Sequence, residues 1–160
     1  MKHPLAAALA VAMAIAAPAY AQDAAMPDKA ATASAADPFA ADSPLPLHYP
    51  QFDKISDSDF APAFDRGMAE HLAEVKAIAE NPEAPTFENT IIALEKSGQV
   101  LGRATSVFFN LVGTDTNDAR EKLRADYAPK FSAHRDAIGL DPALFARIKS
   151  LYEQRESLGL

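Results

Sequence analysis

The chain has 160 residues, with 22 Asp and Glu against 15 Lys and Arg, four histidines and no cysteine. That length allows one modest domain, and the lack of cysteine excludes disulfides and cysteine-based zinc sites. An acidic balance without any Lys/Arg cluster repels phosphate backbones, so nucleic acid is not an expected partner.

The first residues read as a secretory signal peptide. Met1-Lys2-His3 is a short basic start, Leu5 to Ala17 is an uncharged apolar run, and Pro18-Ala19-Tyr20-Ala21 ends in a small-x-small pattern. Cleavage is expected after Ala21, giving domain boundaries of 1–21 for the signal. The apolar run is short of the roughly 20 residues needed to span a bilayer, although a retained anchor is the rival reading. A lipid anchor at the cleavage point would need a cysteine. The expectation is a periplasmic or secreted protein with no membrane association after processing. Losing Lys2 leaves 14 basic residues against 22 acidic ones, a mature charge of −8.

Residues 22–46 are rich in Ala, Asp, Pro and Ser and read as a flexible leader, too poor in large apolar groups to offset ordering entropy. From Leu47 to residue 160 the composition changes. His48 to Ile55 mixes aromatic and apolar residues with Pro50, which suggests an extended segment packed on something. Four helical stretches are then expected, with no segment alternating as a strand, which makes the fold class an all-α helical bundle. The first starts near Ser56 to Asp59, with Pro62 tolerated near its beginning and Phe60, Phe64, Met68, Leu72 and Val75 as its apolar stripe. Asn81-Pro82 ends it.

The second helix is expected to start at an N-cap on Thr86 and run to Gly113, with Glu88 in its first turn. Ile91, Leu94, Gly98, Leu101, Thr105, Phe108 and Val112 fall on one face, and further apolar residues widen it. Such a helix belongs at the centre of a bundle. The Gly98-x-x-x-Gly102 spacing suggests close helix packing, with membrane dimerisation the weaker reading in a soluble helix. The third helix is capped by Thr116 or Asn117 and presents Leu123, Tyr127, Phe131, His134 and Ile138, with a kink expected near Pro129. Asp118 and Lys122 are spaced as an i,i+4 pair. The fourth is capped by Asp141 with Pro142 at its first position, and Leu144, Phe145, Ile148, Leu151 and Tyr152 form its apolar face.

Candidate chemistry is sparse. His71 and Glu74 lie three apart beside Glu70, a spacing that could begin a metal site, but His71 falls among Phe64, Met68 and Val75. His134 falls likewise among Tyr127, Phe131 and Ile138. Both are expected as packing or interface residues. The H-E-x-x-H pair of imidazoles, the G-x-S-x-G elbow and the phosphate-cradling glycine loop are all missing from the sequence. The expected catalytic, metal and cofactor-binding residues are none.

Phe52-Asp53-Lys54-Ile55, Phe60-Ala61-Pro62-Ala63-Phe64 and Asn81-Pro82-Glu83-Ala84-Pro85-Thr86-Phe87-Glu88-Asn89-Thr90-Ile91 follow one another in a distinctive order. Val107 to Leu111, Thr116-Asn117, Ala128-Pro129-Lys130 and Asp141 to Phe145 extend the pattern. This region resembles the N-terminal part of the thimet-oligopeptidase-like zinc metallopeptidases, most closely their bacterial peptidyl-dipeptidase and oligopeptidase A branch. The resemblance implies a helical wall of a deep channel, with a zinc-binding, peptide-cleaving half carried elsewhere in a longer chain. That half is missing here, so no zinc ligand carries over to any position of this sequence. Zinc is expected for the full-length family member, and the partners expected are the catalytic half and short peptides. The simplest reading is a partial reading frame of an exported peptidase. The alternative is a stand-alone periplasmic helical binding protein without catalytic activity.

Overall fold

The computed structural model describes residues 37–159, so the signal-peptide expectation lies outside the described residues. Two short 3-10 turns, Pro46–His48 and Phe52–Lys54, lead into α1 (Asp57–Ala79). A π-helical turn, Phe87–Ile92, runs directly into the short α2 (Ala93–Glu95), and α3 (Gln99–Thr114), α4 (Asp118–Gly139) and α5 (Pro142–Glu153) complete the chain. The fold is all-α, with four long helices and no strand among the described residues.

Local chemistry sets the helix starts. Ser56 begins α1 in a reciprocal capping box, its backbone N–H donating to Asp59 Oδ2 at 2.7 Å. Asn117 Oδ1 accepts from Arg120 N at 2.8 Å at the head of α4, and Asp141 Oδ1 accepts from Leu144 N at 2.7 Å at the head of α5. Each bond satisfies an amide that has no partner within its own helix. Because α1 begins at Asp57, Pro62 lies in its second turn, one turn deeper than the sequence suggested. α4 continues unbroken through Pro129.

The core is aromatic. Phe64 is fully buried and meets Phe108, Tyr127 and Phe131 at ring-centroid separations of 5.2, 5.1 and 5.0 Å. All three contacts are edge-to-face, the arrangement that the ring quadrupole favours. Phe60, Ala63, Ala104 and Val107 close this cluster between α1, α3 and α4. A second cluster joins Val75 and Ala79 of α1 to Leu144 of α5.

Four sequence expectations are corrected. The leader does not extend to Pro46, because Phe39 is 2% exposed and packs against Phe60 with ring centroids 5.5 Å apart. Asp37 receives Arg66 Nη2 at 2.5 Å, and Arg103 Nη1 donates to Asp42 Oδ1 at 2.9 Å while its Nε donates to the Phe39 carbonyl at 3.1 Å. One large apolar anchor and two guanidinium clasps are enough to order a segment whose average composition is that of a linker. Second, the helix expected from Thr86 to Gly113 is broken. Gly98 adopts φ +69°, a left-handed conformation that ends one helix and re-aims the chain into the next.

Third, of the two glycines expected to allow close helix packing only Gly98 does so, a Cβ there falling 2.7 Å from His71 Nδ1 of α1, and the closest backbone approach belongs to Gly67. A Cβ on Gly67 would lie 2.8 Å from the Leu101 backbone, whereas one on Gly102 would meet nothing within 4 Å. Last, Lys122 pairs with Asp126 at 2.6 Å instead of Asp118.

Candidate functional site

Two polar nodes and one cleft concentrate the functional-looking side chains. The first node is built on the P-T-F-E-N-T stretch. Thr86 Oγ1 accepts from Asn89 N at 3.0 Å, and the Asn89 side chain answers by accepting from Thr86 N at 2.8 Å. Asn89 therefore fills the position where a capping box usually carries Glu or Gln. Its Nδ2 donates back to the Ala84 carbonyl at 2.9 Å.

Arg147 of α5 reaches into this turn. It is 6% exposed and donates from Nη1 to the carbonyls of Asn81 at 2.8 Å and Glu83 at 3.0 Å. Its Nη2 donates to Asn89 Oδ1 at 2.8 Å and its Nε to Thr90 Oγ1 at 3.3 Å. Thr90 is fully buried, and its hydroxyl donates to Asn89 Oδ1 at 2.9 Å. The fork geometry of guanidinium is what allows one side chain to satisfy four acceptors from its three nitrogens. Sequence reasoning missed Arg147, which sits where periodicity alone would place a leucine. The buried face of α5 is Leu144, Arg147 and Leu151, while Phe145 and Tyr152, expected on that face, are 63% and 64% exposed.

The second node gathers the histidines that the sequence left far apart. His71 of α1 and His134 of α4 meet through Nδ1 and Nε2 at 3.0 Å. Burial pushes both imidazoles below their ordinary range, with the Glu74 carboxylate partly opposing this at His71 and the His71 ring adding to it at His134. His134 Nδ1 is buried without a partner. Glu74 turns to the helix break, its Oε2 accepting from Gly98 N at 2.7 Å. Glu70 lies 3.6 Å from Arg66. The three candidate ligands of the first helix are thus drawn to three different partners. No group of three His, Cys, Asp or Glu able to hold a metal occurs among the described residues.

The cleft, about 820 Å³, lies between the Asp37–Pro44 strap and the start of α3. Ser97, Gln99 and Ser106 supply polar groups to its wall, and Arg103 is engaged by the strap carbonyls. His48 also lines it and bonds Ser43 O through Nδ1 at 3.0 Å.

Fold and nodes together define a helical packing module, in which the buried polar side chains hold helices in register. No family model matches the chain. It is 45% identical over 123 residues to the dipeptidyl carboxypeptidase of Escherichia coli (strain K12), which is 77% of this chain and 18% of that protein. It is 44% identical over 118 residues to the dipeptidyl carboxypeptidase of Salmonella typhimurium (strain LT2), which is 74% of this chain and 17% of that protein. The chain spans less than a fifth of the length of the curated relatives it matches. Over that segment it is a homologue of the dipeptidyl carboxypeptidases, the peptidase family that its P-T-F-E-N-T-I run resembles.

Proposed function

We propose that this chain is the helical N-terminal portion of an exported zinc peptidyl-dipeptidase, where it forms part of one wall of the channel that admits short peptides. The observation that carries this reading is 45% identity to a dipeptidyl carboxypeptidase over 123 residues. The zinc-binding and catalytic residues belong to the remainder of the longer protein, and the chain's own contribution is shape. Export rests on the basic, apolar and small-residue order of residues 1–21.

Zinc hydrolysis needs three protein ligands around an open metal position, together with a base for the bound water. His71 and His134 supply at most two imidazoles, and their converging nitrogens already bond each other. Residues 22–160, purified and assayed with a quenched fluorescent oligopeptide, should bind no stoichiometric zinc and cut nothing. Chelator-sensitive cleavage that co-purifies with the fragment and disappears in His71→Ala would overturn this. Amino-terminal mass spectrometry of the exported product should begin at Gln22, and an intact Met1 on a membrane-bound species would contradict export.

The rival, a stand-alone periplasmic binding protein, draws on the exposed apolar residues of α5. The genomic frame after Leu160 separates the two. A continuing frame with H-E-x-x-H supports the peptidase, and a stop codon with accumulation of the short product supports the binder.

A further inference from the structure

α5 lies on the bundle by one stripe and shows a second stripe to solvent. Leu144, Arg147 and Leu151 face α1 and the π-helical turn. Phe145, Ile148 and Tyr152 recur at steps of three and four and so form one adjoining strip along the helix. They are 63%, 36% and 64% exposed. Leu140, at the corner leading into α5, is 80% exposed. A surface of this kind marks an interface more often than chance exposure of single residues does.

The size of the strip selects its occupant. Aromatic side chains bury roughly 150–250 Å² each when fully covered, so Phe145 and Tyr152 together offer roughly 200–300 Å². A free dimer of standard stability buries about 800 Å² on each partner, well beyond what this strip supplies. Covalent linkage removes that requirement, because a tethered partner is present at an effective concentration of the order of millimolar. More than four fifths of each matched relative lies outside the matched segment, so a tethered partner is available in a protein of that length.

We propose that the outer face of α5, formed by Phe145, Ile148 and Tyr152, is the seam against which the remaining polypeptide of the peptidase packs. This inference rests on the peptidase reading above. The occupant is an apolar surface of the same chain, and the Lys149–Glu153 pair and Arg155, whose guanidinium lies 4.3 Å over the Tyr152 ring, form its polar margin.

The absence of cysteine allows a direct test. Phe145→Cys, Tyr152→Cys and Leu47→Cys are each made in the 160-residue chain, Leu47 being 99% exposed in the first 3-10 turn and not part of α5. Each is also made in two joined proteins, where this chain replaces the matched segment of the Escherichia coli or the Salmonella relative. Thiol labelling is then localised by peptide mass mapping. In the isolated chain all three positions should label at similar rates, independent of protein concentration. In the joined proteins positions 145 and 152 should label at least tenfold more slowly, with position 47 unchanged. Full reactivity at 145 and 152 in both joined proteins overturns the seam. So does concentration-dependent protection in the isolated chain, which would assign the face to a second copy. Protection in a joined protein that folds but cleaves no peptide would count against the functional reading while leaving the seam in place.

Discussion

Arg147 makes four hydrogen bonds from a buried position. Its guanidinium satisfies the Asn81 and Glu83 carbonyls, Asn89 Oδ1 and Thr90 Oγ1 in a buried site. Arg147→Met keeps the apolar stem but strands acceptors that cost about 1–3 kcal/mol each when buried without a partner. A loss of about 3 kcal/mol in urea unfolding is expected, and Arg147→Lys should recover only part of it because an ammonium lacks the planar fork. Glycines separate by environment at the same scale. A Cβ on Gly98 would fall 2.7 Å from His71 Nδ1 at φ +69°, so Gly98→Ala should cost about 2 kcal/mol or more from strain and displacement of the ring. Gly102→Ala meets open space inside a helix and should stabilise by about 0.5–1 kcal/mol. Thermal melts of the two variants should move in opposite directions.

At the scale of elements, the histidine pair joins α1 to α4 and makes that contact sensitive to acid. His134 Nδ1 has no acceptor, so hydrogen bonding is better served when Nε2–H donates to His71 Nδ1 and the buried nitrogen carries only its lone pair. A proton added at His134 charges that buried nitrogen, and one added at His71 Nδ1 either breaks the bond or reverses it, leaving a buried His134 Nδ1–H with no acceptor. Burial holds both folded pKa values below the 6.5 of a free imidazole. The unfolded chain therefore binds more protons as the pH drops through and below 6.5. The pair's contribution is fully present above 6.5 and is lost as the pH falls towards the folded values. Urea midpoints should decline between pH 7 and pH 5, and His134→Leu should flatten that slope. Asp57 adds a lower window. Its carboxylate receives Asn117 Nδ2 at 2.8 Å and Arg120 Nε at 2.6 Å, tying the starts of α1 and α4 together. The Asn117 bond, then Arg120, holds its pKa below 3.8 against the opposing effect of burial, so this tie is lost only as the pH drops below that value.

For the whole molecule, the strap decides how the aromatic core is closed. Phe39 covers Phe60 from a segment far outside the helices, and Arg66 and Arg103 secure the chain on either side of it. Phe39→Ala opens a cavity beside a fully buried ring and should cost about 3 kcal/mol, within the range for buried phenylalanine truncation. It should also raise binding of an apolar dye. Arg103→Met should loosen the strap without disturbing the helices, which protease cutting between Asp37 and Pro46 together with unchanged circular dichroism would report. Equal loss of helix signal in both variants would mean that the strap is part of the folding nucleus and not its cover.

Helix periodicity and caps are local, and the sequence alone determined them. Ser56, Thr86, Asn117 and Asp141 begin helical segments as expected, and of the stripe expected on α1 Phe60, Phe64 and Val75 are buried while Leu72 is exposed. The family relationship was equally legible, because P-T-F-E-N-T-I is one continuous run and its Thr86–Asn89 capping bonds are local. What only the tertiary structure decided depends on partners far away in the chain. His71 and His134 are 63 residues apart, and Arg147 is 57 residues from Thr90. No periodicity could pair them. The same limit explains α5, where residues of similar hydropathy divide into a buried stripe and an open one. Hydropathy states that a side chain avoids water, but packing of the other helices decides which side chains are granted that escape.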